Sequence, residues 1–275
     1  MLTRVQGKPP RLLLRLFTMT KQLFKYRCWK PVSKRTKDNA CQEVNFTEQL
    51  LLDHAFYCQK PRSFDDPHDS HTGAVPTGSV HDIDRYAGEN MGQVGYAMKA
   101  HRLTSLTQLA ASKMPEVTTA LVNLVGQKAR REQFALSFSG VGDDDLMWTF
   151  YADEHRGICL EFDGNHPAFA QAWQVQYSVS PPVQAADTHD ELMFHKAQSW
   201  AFQQEWRILF HAPDFPFPTE SLRRVILGYR FPETAFAQLT DTLARGGYRV
   251  VIDQMQRRTD SYALVPVRRG VIGPQ

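Results

Sequence analysis

The sequence predicts an α+β fold: a mostly antiparallel sheet with inserted helices around a central cleft. Three observations predict it. Short stretches at 134–139, 158–163 and 204–211 alternate apolar with small or polar residues, and a period of two puts neighbouring side chains on opposite faces of a strand. Helical patterns fall between such stretches without strict alternation, which argues against a doubly wound sheet. At 275 residues the chain is long enough to bury a sizeable core.

In chain order, 1–20 reads as a basic tail, and 21–275 as one domain. LFKYRCW (23–29) is the first strand, with Phe24, Tyr26 and Cys28 on one face and Lys25 and Arg27 on the other. NFTEQLLLDH (45–54) is a short helix with Asn45 or Thr47 as its cap, and AFYC (55–58) a strand. Residues 60–82 are rich in turn formers and lack periodicity, which predicts a long loop. A helical insertion is expected at about 83–131. The block 134–163 reads as strand, turn, short aromatic helix, strand. Further strands are predicted at 173–178, 204–211, 223–228, 248–253 and 261–267, with helices at 188–202 and 232–245.

Composition is that of a globular protein, 42% hydrophobic and 22% charged. No apolar run reaches the length of a membrane-spanning helix, and LLLRLF is too short and too interrupted for a signal peptide. Cys28, Cys41, Cys58 and Cys159 have no metal-ligand spacing and are expected to be reduced thiols of a cytoplasmic protein. Residues 1–37 hold 11 Lys and Arg and no acid, whereas the other 238 carry 21 basic against 29 acidic residues. Such an arm suits contact with nucleic acid or an acidic partner, or is simply a solvated tail.

The glycine-rich phosphate loops, the HExxH pair and the GxSxG elbow are missing, so their enzyme classes lose their usual support. What remains is a pattern of strand faces. Opposite the apolar faces stand Arg27, then Ser137 and Ser139, then Glu161, then Glu205 and Arg207. Were these faces to line one cleft, it would hold a cation for an anionic group, hydroxyls small enough to admit a ligand, and carboxylates for a ribose diol or a developing positive charge. The alternative is a sheet face that meets water. The loop FDDPHDSH offers Asp66, His68 and Asp69 as a candidate metal set, although Asp-Asp-Pro is also plain turn chemistry. Asp143 to Asp145 are expected to cap the next helix, and His155 to complement its C-terminal dipole. Trp148 and Tyr151 share a helix face and serve either the core or a stacking platform.

Tyr26-Arg27; Pro61, Phe64, Asp66, Pro67 and Asp69; Phe138-Ser139; Met147, Trp148, Tyr151, Ala152, His155, Gly157 and Phe162; and Glu205 with Arg207 recur in an order that resembles the bacterial domain of unknown function 2971. The resemblance covers roughly 21 to 265; Phe202-Gln203-Gln204 departs from that family's acidic lead-in before the Glu-x-Arg. A second analogy is to ADP-ribosyltransferases, whose arginine, serine and glutamate fall on successive strands in this order. That resemblance implies NAD as the substrate, Arg27 on its pyrophosphate, Ser137 or Ser139 beside the nicotinamide ribose, Tyr26 or Tyr151 stacked on the nicotinamide, and Glu205 steadying the transition state. It implies no metal, and it leaves a protein or nucleic acid as the modified acceptor, in a setting of bacterial conflict or phage defence. The alternatives are a metal-dependent nuclease or hydrolase using Asp66, His68, Asp69 and Glu161, and a module that binds a nucleotide or nucleic acid without chemistry.

Overall fold

Strand β1 (Gln22–Arg27) lies near the middle of an eight-stranded sheet in the computed structural model, which describes residues 21–35, 41–64, 66, 69, 132–180 and 193–273. The tail 1–20, His68, the expected insertion at 83–131 and most of the loop before it lie outside the described residues. After β1 come β2 (Val32–Arg35), β3 (Cys41–Val44), α1 (Phe46–Asp53) and β4 (Ala55–Tyr57), then β5 (Phe134–Ser139), α2 (Asp145–Tyr151), β6 (Ile158–Asp163), β7 (Trp173–Gln174), β8 (Gln176–Ser178) and β9 (His195–Ala197). The chain ends with β10 (Glu205–Phe210), β11 (Asp214–Pro216), β12 (Leu222–Leu227), α3 (Phe236–Arg245), β13 (Val250–Arg257) and β14 (Leu264–Ile272). The large sheet runs β14-β13-β12-β6-β1-β5-β10-β7. Its neighbours are antiparallel except β12 and β13, which α3 connects in parallel. This is an α+β fold.

The two cores explain the strand sequences. On one face α1 and α3 cover Leu23, Leu136, Phe138, Leu160 and Phe162. On the other, α2 packs Met147, Trp148 and Ala152 onto Phe24, Tyr26 and Cys159. The sheet is thus apolar on both sides at its centre, and β6 is buried along nearly its whole length. Asn45 caps α1 through Oδ1, which accepts from the Thr47 and Glu48 amides, and Asp144 caps α2 by accepting from Met147 N–H at 2.9 Å.

β1 is paired unequally. Against β6 it pairs throughout, from Gln22 opposite Asp163 to Arg27 opposite Ile158. Against β5 it pairs at one position, Phe24 opposite Ser139. Beyond that point the strands part. Lys25 Nζ reaches across to the Ser137 carbonyl at 2.6 Å. β5 stays attached to β10 over six pairs, and its Ala135 amide is taken by the Gln59 carbonyl at 2.9 Å. The sheet is split between β1 and β5.

The same register corrects the expected arrangement of faces. Residues directly opposite one another share a face, so Phe24 and Tyr26 lie with Ser139, Glu161 and Glu205, while Lys25 and Arg27 project to the other side. The reason is the second core: α2 needs Phe24 and Tyr26 beneath it, on the face that the polar residues of β5 and β10 also occupy. A second correction concerns 188–202. Its described part is no α-helix but β9 followed by a 3-10 helix at Gln198–Gln203. Tertiary pairing with β8, Gln176 opposite His195, overrides the helical spacing. The predicted strand at 173–178 is also two strands, because the buried Val175 turns its amide to the Glu205 carbonyl and separates β7 from β8.

Candidate functional site

The split opens a cavity of about 320 Å³, at the lower end of the range for small-molecule sites. β1 gives it Lys25, Tyr26 and Arg27; β5 gives Ser137 and Ser139; β10 gives Glu205 and Arg207; Tyr151, Lys196 and Trp200 close it from α2 and the β9 region. Arg27, the two serines and Glu205 therefore meet in one cavity after all, reaching it from opposite faces through the split. Glu161, Trp148 and His155 do not line it.

Two kinds of charge meet here. Glu205 and Arg207 are one turn of the pleat apart on the same face, so their side chains lie side by side. Arg207 Nε donates to Glu205 Oε1 at 2.9 Å, and its Nη1 and Nη2 donate to the two oxygens of Asp69 at 2.8 and 2.9 Å. Lys196 Nζ adds contacts to Glu205 Oε2 at 3.2 Å and Asp69 Oδ2 at 3.3 Å. Gln203 extends the chain, accepting from Lys196 and donating to the Tyr151 hydroxyl at 2.6 Å. Burial alone would push the Glu205 carboxyl up, but Arg207 and Lys196 outweigh it and hold it below the ordinary carboxylate value. Burial likewise opposes the Arg207 charge, and Glu205 and Asp69 reverse that. Glu205 is a fixed anion at the cavity wall.

Lys25 and Arg27 are different. Both are half-buried, and among the described residues neither forms an ion pair. Lys25 has the Ser137 carbonyl; Arg27 Nε has the Thr47 hydroxyl at 3.3 Å. Burial, with the Arg27 charge nearby, brings the Lys25 amine down to about 8, and burial lowers Arg27 as well. Two adjacent cations that, among the described residues, form no ion pair in a cavity whose carboxylate Glu205 is already held by Arg207 and Lys196 can take an anion.

Several sequence-derived candidates take structural roles instead. Ser139 Oγ donates to the Gln203 carbonyl at 2.7 Å and accepts from the Val141 amide, fixing the turn after β5. Tyr26 is 5% exposed, donates to the Val141 carbonyl and meets Trp148 edge-on at 5.1 Å, so its ring is committed to packing. Tyr151 is 37% exposed at the wall, its hydroxyl accepting from Gln203. Trp148 is fully buried core, donating to the Gly142 carbonyl. Glu161 is bound by Gln22 and Arg224 in a separate network that continues to Asp253 and Arg268. His155 lies beyond the end of α2 rather than in its last turn. Its ring stacks on Trp148, and burial holds it below its ordinary value despite Asp145, so it is not the charged dipole partner expected. Asp69 is held by Arg207 and Lys196. Among the described residues no three His, Cys, Asp or Glu side chains converge as a metal site.

Sequence reasoning missed Lys25, Lys196, Trp200 and Gln203. Lys25 had a usable signal, since it alternates with Tyr26 beside Arg27. Lys196 and Trp200 fell within the misread helix. No helix among the described residues is long and apolar enough to cross a membrane. Comparison with protein-family models, with curated proteins and with solved structures finds no match.

Proposed function

We propose that this chain is an enzyme of ADP-ribosyltransferase type, a bacterial cytoplasmic relative of the domain of unknown function 2971 proteins. It binds NAD in the split and transfers the ADP-ribosyl group to a macromolecular acceptor, in conflict or phage defence. The observation that carries this reading is the pair of half-buried cations, Lys25 and Arg27, which line the cavity and, among the described residues, form no ion pair. A pyrophosphate supplies the missing charge and suits the arginine fork. Tyr151 and Trp200 offer aromatic faces for a ring. Ser137 and Glu205, which line the same cavity, are left for the ribose.

The chemistry asked of Glu205 is electrostatic. As the bond from the anomeric carbon to nicotinamide breaks, its electron pair leaves with the neutral base and positive charge develops on the ribose. A carboxylate held ionised by Arg207 and Lys196 opposes that charge without taking up a proton. The acceptor nucleophile then forms the new bond and releases its proton to solvent.

The test is calorimetric binding of NAD together with transfer of label from radiolabelled NAD. Arg27→Ala is expected to weaken NAD binding roughly tenfold to a hundredfold, the loss of charge-assisted bonds to phosphate. Glu205→Gln is expected to bind NAD as before and to transfer nothing. Full transfer by Glu205→Gln would sink the mechanism. A second reading, a nucleotide-binding module without chemistry, is favoured by one observation: both Glu205 oxygens are already engaged. NAD that binds without turnover in the unmodified protein, on every acceptor tried, would select it.

A further inference from the structure

The end of the sheet at which the split lies carries a second unpaired pair of cations, on the outside. The row of opposed residues Arg27, Ile158, Leu227 and Gln254 crosses four strands. Just beyond it, at the same end, lie Tyr229 and Arg230 after β12 and Arg257 at the end of β13. Both guanidiniums stand over the one Tyr229 ring, Arg230 at 5.1 Å and Arg257 at 5.9 Å from its centroid. Tyr229 is itself backed by His155 at 4.8 Å and by the α2 core. Arg230 and Arg257 are exposed, and among the described residues neither makes an ion pair. Two like charges pinned to one ring repel each other until an anion sits between them.

We infer that this Arg230–Tyr229–Arg257 patch docks the phosphodiester backbone of a single-stranded nucleic acid and leads it toward the cleft. Three features favour this polyanion over an acidic protein. Residues 222–273 hold nine arginines and no lysine against four acids, an excess of positive charge that suits the continuous charge of a phosphodiester backbone. Of the cation pair in the cleft, Arg27 heads this row and Lys25 lies two residues further in, both projecting to the face opposite Arg257, so the patch and the cleft's positive charge share one end of the sheet. Tyr262, 99% exposed in the β13–β14 turn beside Arg257 and Arg258, offers a ring on which a base can stack. Binding at this patch is measured without NAD.

The experiment is fluorescence anisotropy of fluorescein-labelled oligothymidylate with the full chain, between about 50 and 200 mM salt. Binding is expected to weaken linearly on a log–log plot. The double variant Arg230→Gln/Arg257→Gln should lower the magnitude of that slope by about 1.4, the value for two contacts to a single strand. Arg245→Gln/Arg249→Gln removes the same charge at the far end of β13 and should leave the slope unchanged. Both pairs are exposed, and equal thermal melting of the variants checks that folding is intact. Three results overturn the inference: no salt-dependent binding by the unmodified chain, an equal loss of slope in the two double variants, or poly-glutamate competing as well as the oligonucleotide, which would identify an acidic protein partner.

Discussion

Lys25 Nζ lies 2.6 Å from the main-chain oxygen of Ser137, holding together two strands that have ceased to pair. The amine thereby replaces a ladder hydrogen bond and is drawn into the split, where Arg27 is its charged neighbour. Its amine titrates near 8 in the folded chain against about 10.4 when unfolded. Between those values the unfolded chain binds the extra proton, so this group makes stability rise with pH across that window. Lys25→Met should remove this part of the rise in denaturant-unfolding profiles from pH 8 to 10. NAD affinity of the unmodified protein should fall as pH passes through 8, and that fall should be absent in the variant. A variant with the parent's pH profile in both measurements would show that Lys25 is not the titrating group.

Arg207 is the residue on which the buried charge cluster depends. It is fully buried and is shared by Glu205 and Asp69. Arg207→Gln takes the guanidinium away from two buried carboxylates, Glu205 and Asp69, and breaking a buried pair in this way costs about 3–5 kcal/mol. The sign of the pH effect follows from Glu205, whose folded value is depressed. Its stabilisation is present above the unfolded carboxylate value and is lost as pH falls through the folded one. In Arg207→Gln that depression shrinks, so the acid-unfolding midpoint, followed by tryptophan fluorescence, should move to higher pH. A midpoint unchanged or moved to lower pH contradicts the assigned role.

The sequence made some of this legible and not the rest, for identifiable reasons. Capping of α1 by Asn45 or Thr47 and of α2 within Asp143 to Asp145, and the strands β5, β6 and β10, follow from local chemistry, and the structure selects Asn45 and Asp144. The face of β1 did not, because Phe24 and Tyr26 on one side and Leu23 on the other are all buried. Alternation identifies two faces but cannot choose between two cores. The split was equally hidden. It depends on pairing between residues more than a hundred positions apart, which periodicity cannot express. Glu161 and Glu205 look alike as single carboxylates on strands, and they differ in which arginine holds them, Arg224 from the neighbouring strand or Arg207 from two places along the same one.

Three consecutive residues after α2 adopt left-handed backbone conformations: Asp153 at φ 50°, Glu154 at 52° and His155 at 68°. Each costs an L-residue about 1–2 kcal/mol. The turn is held by amide bonds from Glu154, His155 and Gly157 back to the Thr149, Trp148 and Ala152 carbonyls. Glu154 is exposed, and its pair with Arg156 is a surface one of little worth. Glu154→Gly should therefore raise stability by about 0.5–1 kcal/mol, the relief of strain less the glycine's extra entropy loss. Glu154→Val should lower it. If both substitutions destabilise equally in urea titrations, the turn is not strained at this residue.

Gly157 is where that turn crosses the end of β1. A Cβ there would stand 2.2 Å from the Arg27 carbonyl and 2.9 Å from that of Ala152, both backbone atoms that cannot swing aside. Gly157→Ala must displace either the turn or β1, and overpacking of this kind costs about 1–3 kcal/mol. The position does not line the cavity, yet it abuts the residue whose side chain does. If β1 gives way, Arg27 moves with it, and NAD affinity should fall although no cavity residue has changed. If the turn gives way, the Trp148–His155 stack is disturbed and affinity is kept. Unfolding free energy and NAD binding measured on the same variant separate the two. A variant that loses neither would mean that the close approach of Gly157 to β1 is absent in solution.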